Sequence, residues 1–134
     1  MNETDVQSFV TRFAAAWAER DGAAFLALWH PDGQLHSPLY DRPIAGKELG
    51  SLSELIRETA PDHVWQLLDW TARGDVVVIE WQATRTAGGK RIDWRGVDKF
   101  RLREGRILEE RVYMDTAALR AARGVGWPEP LVRL

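Results

Sequence analysis

A chain of 134 residues, 45% hydrophobic and 28% charged, is long enough to bury a core without disulfide or metal staples and too apolar to be disordered. Its net charge of −2 excludes the basic excess that drives counterion release on nucleic acid, and the absence of cysteine excludes disulfides and thiolate chemistry. His30, His36 and His63 lack the pairing of a zinc site, and no signal-like or membrane-length apolar run occurs, so a single cytoplasmic domain over 1–134 with no metal, membrane or nucleic-acid partner is expected.

Thr4 and Gln7 have capping-box spacing, and Val6, Phe9, Val10, Phe13 and Trp17 follow at helical intervals, predicting an amphipathic first helix that stops near Asp21-Gly22. Asp21 can cap a second, shorter helix carrying Phe25, Leu28 and Trp29 before the Pro31-Asp32-Gly33 turn. A short strand over Gln34 to Ser37 ends at Pro38. A third helix from Gly46 presents Leu49, Leu52, Leu55 and Ile56 and is stopped by Pro61.

After Pro61 the period becomes twofold. His63–Thr71, Asp75–Arg85, Arg91–Arg103 and Arg106–Met114 read as strands joined by tight glycine turns, the pattern of consecutive antiparallel hairpins. Gly88-Gly89-Lys90 is such a turn and not a phosphate loop, because no Ser or Thr follows the lysine and no helix begins there. In Arg91–Arg103 one parity is apolar (Ile92, Trp94, Gly96, Phe100, Leu102) and the other is charged. Helices first and a meander afterwards predict an α+β fold with helices packed on one face of a mainly antiparallel sheet. Val76, Val78 and Val112 read as apolar residues among the charges of the outer face, a mixture that predicts a homodimer through the sheet.

The opening FAAAWAERDGAAFLALWHPDGQLHSP and the closing GVDKFRLREGRILEERVYMDTAALRAARG resemble the SnoaL-like and ketosteroid-isomerase-like families of the nuclear transport factor 2 fold, over nearly the whole chain. The resemblance implies a cystatin-like curved sheet wrapped around the N-terminal helices, a cone-shaped pocket for a small apolar organic ligand, frequent dimers and no cofactor. By the same resemblance, the protonated aspartic acid of a ketosteroid isomerase falls on Asp98, its base position on Ser37 and its tyrosine position on Phe13. The SnoaL-like polyketide cyclases are the nearest group, with their acid/base aspartate after the last strand falling on Asp115.

Each candidate also has a plainer reading. Asp115 precedes a helical run over Thr116–Arg123 and can serve as its N-cap. Asp98 sits on an apolar strand face, where burial would raise its pKa toward that of a proton donor, unless it lies at an edge paired with an arginine. His36 can shuttle protons, or be structural; adjacent strand residues face opposite ways, so only one of His36 and Ser37 looks inward. Trp17, Trp65, Trp81 and Trp94 can fill the core or line a pocket for a flat ligand, and Tyr113 shares the parity of Asp115. The expected site is therefore Asp98, Asp115 and His36 as reacting groups, with Phe13, Trp17, Ser37, Trp65, Trp81, Trp94 and Tyr113 as ligand contacts. The expected activity is cofactor-independent acid/base chemistry of the isomerase or cyclase type; the rival is a non-catalytic binding or dimerisation domain.

Overall fold

A computed structural model describes residues 2–134. Helix α1 (Glu3–Glu19) opens on Asn2, whose side chain accepts the Asp5 N–H at 2.8 Å while the Asp5 carboxylate accepts the Asn2 N–H at 3.3 Å. This capping box lies two residues before the predicted Thr4/Gln7 pair: asparagine is a strong N-cap residue, and starting there keeps Glu3 and Asp5 in the first turn. Helix α1 ends on Arg20 in the left-handed region (φ 52). The Arg20 guanidinium donates to the carbonyls of Pro61 and His63 at 2.6 and 2.7 Å, tying the helix to the entry of a distant strand. Asp21 caps α2 (Gly22–Ala27) by accepting the N–H groups of Ala23 and Ala24, as its sequence position predicts.

The second helix ends before Trp29, which instead begins β1 (Trp29–His36). Pro31-Asp32-Gly33 is therefore not a turn before the strand but an irregularity within it, marked by a register shift between Trp29 and Gln34. After the short β2 (Ile44–Ala45) and a 3₁₀ turn over Gly46–Glu48, α3 spans Leu49–Thr59 and stops before Pro61. Strands β3 (Val64–Arg73), β4 (Val76–Ala87), β5 (Lys90–Arg103) and β6 (Arg106–Met114) follow within two residues of the predicted limits, and α4 covers Ala117–Arg123.

The six strands form one sheet in the order β2-β1-β6-β5-β4-β3, antiparallel throughout except for the parallel β1–β6 pair. Its inner face packs on α1 and α2 through a cluster of phenylalanines. Phe13 meets Phe100 of β5 edge-on at 4.9 Å, and Phe9 meets the same ring at 5.2 Å. These rings close one end of the helix–sheet layer, and the other end stays open.

Strand β6 departs from strict alternation where it matters for the site. In β5–β6 pairing, Arg101 faces Glu109 but Leu102 faces Ile107, so Leu108 is an extra residue and the inward parity switches there. Beyond the bulge Glu110, Val112 and Met114 point inward and line a cavity, which corrects the placement of Val112 on the outer face. The same switch turns Tyr113 outward.

Candidate functional site

The open end of the helix–sheet layer is a cavity of about 360 Å³. Helix α3 supplies one apolar wall through Leu49, Leu52 and Ile56, and the sheet supplies an aromatic one. There Trp65 of β3 stacks on Trp17 of α1 at 6.1 Å with 17° between the planes, and the Trp81 ring of β4 lies 6.4 Å from that of Trp65. Trp94 completes this wall beside His63. The indole nitrogens of Trp17 and Trp94 and Nδ1 of His63 are buried without hydrogen-bond partners among the described residues.

Two carboxyl groups line this otherwise apolar space. Asp98 of β5 and Glu110 of β6 are 4% and 5% exposed and lie side by side, close enough for a proton on one to be accepted by the other. Burial pushes the Asp98 carboxyl up to about 6, opposed by hydrogen bonds from Trp81 and Glu110. Burial, with the adjacent Asp98 charge, raises Glu110 well above the ordinary carboxyl range. Glu110 is thus the protonated member and donates to Asp98, and the pair titrates as a unit.

The local sequence dictates the second bond to Asp98. Trp81 pairs across the sheet with Gly96, and a Cβ at Gly96 would overlap the indole ring, with Trp81 Cε2 at 2.8 Å. Only glycine lets the ring lie flat on β5, and from there its Nε1–H donates to Oδ1 of Asp98, two residues along, at 2.9 Å.

A second polar region lines the same cavity. Arg85 of β4 is half-buried with its guanidinium 5.4 Å over the Trp94 ring, and Arg123 of α4 and the Tyr40 hydroxyl join it. Burial raises the Tyr40 pKa, against the charges of Arg85 and Arg123. His63 is driven down to about 4 by burial and by the positive charges of Arg85 and Arg20, so its imidazole is neutral at physiological pH.

Of the residues singled out from sequence, the cavity brings together Asp98, Ser37, Trp17, Trp65, Trp81 and Trp94. It does not include the others. Asp115 is exposed, and its carboxylate accepts the Ala117 N–H at 3.0 Å, one position before the N-cap Thr116. His36 faces outward near Glu109, leaving Ser37 as the inward member of that pair. Tyr113 is 60% exposed on the outer face, and Phe13 is wholly buried in the phenylalanine cluster. Sequence reasoning missed Glu110, His63, Arg85, Arg123 and Tyr40. The one available signal was Glu109-Glu110, a pair of adjacent glutamates in a strand, one of which must face inward. Among the described residues no three His, Asp or Glu side chains form a metal-ligand group, and no helix is long and apolar enough to cross a membrane.

Residues 10–110 match the family model described as the SnoaL-like domain. No curated protein matches the chain by sequence. Among solved structures, the chain is similar to IdmH of Streptomyces antibioticus, described as a candidate polyketide cyclase, at 20% identity and TM-score 0.74 over 89% of this chain and 98% of that one. TerC, co-crystallised with polyporic acid, aligns at 17% identity and TM-score 0.76 over 88% of this chain and 97% of its own. A protein of ketosteroid isomerase-like fold from Catenulispora acidiphila, in complex with trimethylamine, aligns at 18% identity and TM-score 0.76, covering 88% and 93% of the two chains.

Proposed function

Because the chain belongs to the SnoaL-like domain family, we propose that it is a cofactor-independent acid/base enzyme that isomerises or cyclises a small, largely apolar organic molecule in the helix–sheet cavity. The observation that carries this reading is the Asp98–Glu110 pair, two carboxyl groups buried side by side in an otherwise apolar chamber. Two structural neighbours, TerC and the Catenulispora protein, were crystallised with small organic ligands, which supports a ligand-holding role for this scaffold.

At neutral pH Asp98 is largely ionised and Glu110 keeps its proton, so acceptor and donor sit side by side. A substrate carbonyl placed against the pair loses a proton from its α-carbon to the Asp98 carboxylate. The C–H electron pair moves onto the carbonyl oxygen; once Asp98 holds the proton it no longer draws the Glu110 O–H, which turns to donate to the enolate oxygen. Return of the proton at another carbon gives isomerisation; attack of the enolate carbon on a second carbonyl of the same molecule closes a ring, and the resulting alkoxide takes the proton back. The tryptophan walls hold a flat or ring-shaped skeleton and exclude water. Asp115 has no part in this scheme.

A binding-only reading draws on one observation, that Ser37 and Phe13 stand where a ketosteroid isomerase resemblance places a base and a tyrosine. Deuterium exchange separates the two. With the enolisable bicyclic ketone 2-tetralone in D₂O, NMR should show exchange of the α-hydrogens accelerated by the protein and cut by about a hundredfold in Asp98→Asn and Glu110→Gln. Saturable binding with exchange no faster than in buffer leaves the binding domain as the correct account.

A further inference from the structure

We propose that Arg85 and Arg123 form a subsite for an anionic oxygen group, a carboxylate or acidic enol hydroxyl, carried by the ligand of this cavity. The inference rests on the ligand-holding role argued above and names the class of molecule held.

Both side chains line the cavity, yet neither guanidinium has an ion-pair partner among the described residues. Asp62, the acidic side chain that acts on Arg85, is engaged elsewhere: it accepts the Thr86 N–H at 2.9 Å and lies 4.0 Å from Arg91. Arg123 has one contact of its own, a 3.4 Å bond from its guanidinium to the Leu131 carbonyl. The two positive charges repel each other across a partly desolvated wall, an arrangement that costs free energy until an anion enters between them.

The fold holds this arrangement in place. Gly88, at the β4–β5 hairpin tip with φ 59, sits where a Cβ would lie 2.8 Å from the Ala122 carbonyl oxygen, so the hairpin rests directly on the α4 backbone. That contact fixes the strand of Arg85 against the helix of Arg123. Stacking over Trp94 further restrains the Arg85 guanidinium, whose planar fork suits two parallel bonds to a carboxylate.

The subsite is displaced from the carboxyl pair. Ile79 is the cross-strand partner of Asp98, and Arg85 lies three inward positions further along β4, about 20 Å of strand. Tyr40 lines the cavity too, near enough for the charges of both arginines to act on its hydroxyl. A matching ligand has an anionic oxygen at one end, a flat apolar body against the tryptophans, and its enolisable carbon at the other end.

Calorimetric titration with 2-naphthoate and its neutral isostere 2-naphthamide tests this. The carboxylate should bind about tenfold to a hundredfold tighter than the amide at low salt. Arg85→Gln and Arg123→Gln should each remove most of that preference, weakening the carboxylate far more than the amide, and Arg85→Lys should restore part of it. Arg123 is exposed, so its substitution leaves the fold intact, with tryptophan circular dichroism as the control. Equal affinities, a preference that survives both glutamine variants, or no binding of either compound at about 1 mM overturns the subsite. Charge preference without deuterium exchange sinks the acid/base scheme alone, and exchange without charge preference sinks the subsite alone.

Discussion

Replacing Asp98 by asparagine should make the protein more stable at neutral pH, although it removes a buried hydrogen-bonding carboxylate. Folding raises the Asp98 pKa from 3.8 to about 6. A raised carboxyl pKa means the native state holds the proton more tightly, so stability falls as pH rises from 3.8 through about 6 and the full penalty stands above that. At 1.36 kcal/mol per pKa unit the penalty is about 3 kcal/mol. Asparagine keeps an oxygen for the Trp81 N–H, but its NH2 group cannot accept the Glu110 O–H, and losing that bond returns about 1 kcal/mol of the gain. The net expectation at pH 7 is about 2 kcal/mol of added stability, or roughly 6–10 °C in Tm. His63 complicates any single curve: its depressed pKa contributes stability above its ordinary value of 6.5 that is lost as pH falls toward about 4, opposite in sign to Asp98. The difference between variant and wild type cancels that term. Urea denaturation of both proteins from pH 4 to 8 should show the difference growing with pH and levelling off above about 6. A difference that is flat with pH, or a variant less stable at pH 7, would refute the placement of an ionisable carboxyl in this cavity.

Gly96→Ala should cost about 2 kcal/mol by forcing the Trp81 indole off β5, and should lengthen its bond to Asp98, raising the Asp98 pKa further in a carboxyl NMR titration. Asp115→Asn should be nearly silent and Asp115→Ala should lose about 0.5–1 kcal/mol in thermal unfolding, because the carboxylate serves only the Ala117 N–H; loss of deuterium exchange in Asp115→Asn would restore it to the reacting groups. The outer sheet face carries Val76, Val78, Val97 and Tyr113 among its charges, so light scattering should give a dimer mass at micromolar concentration and Tyr113→Glu a monomer.

The hairpins β3 to β6 were legible because alternation and glycine turns are local signals, and α1 to α3 because their apolar spacing is regular. The start of β1 was not, since Pro31-Asp32-Gly33 carries every mark of a turn and only its parallel partner β6 draws it into the sheet. The site was half legible for a related reason. Asp98 announced itself as a charge on an apolar parity, whereas Glu110 hid behind the Leu108 bulge, which strict alternation cannot foresee. Arg85, Arg123 and Tyr40 come from three separate elements, and nothing in linear order brings them to one wall.

The parallel pairing of β1 with β6 also sets an order on synthesis. Residues 29–36 leave the ribosome with only the two-residue β2 to pair with, and their principal neighbour, Arg106–Met114, emerges some seventy residues later. The phenylalanine face of α1 and α2 likewise waits for Phe100 of β5 to cover it. The nascent chain therefore cannot lock in its fold from the front. The place between β1 and β5 is filled only once residues 106–114 have been made, and the same strand brings Glu110 up against Asp98, so the carboxyl pair cannot exist before then.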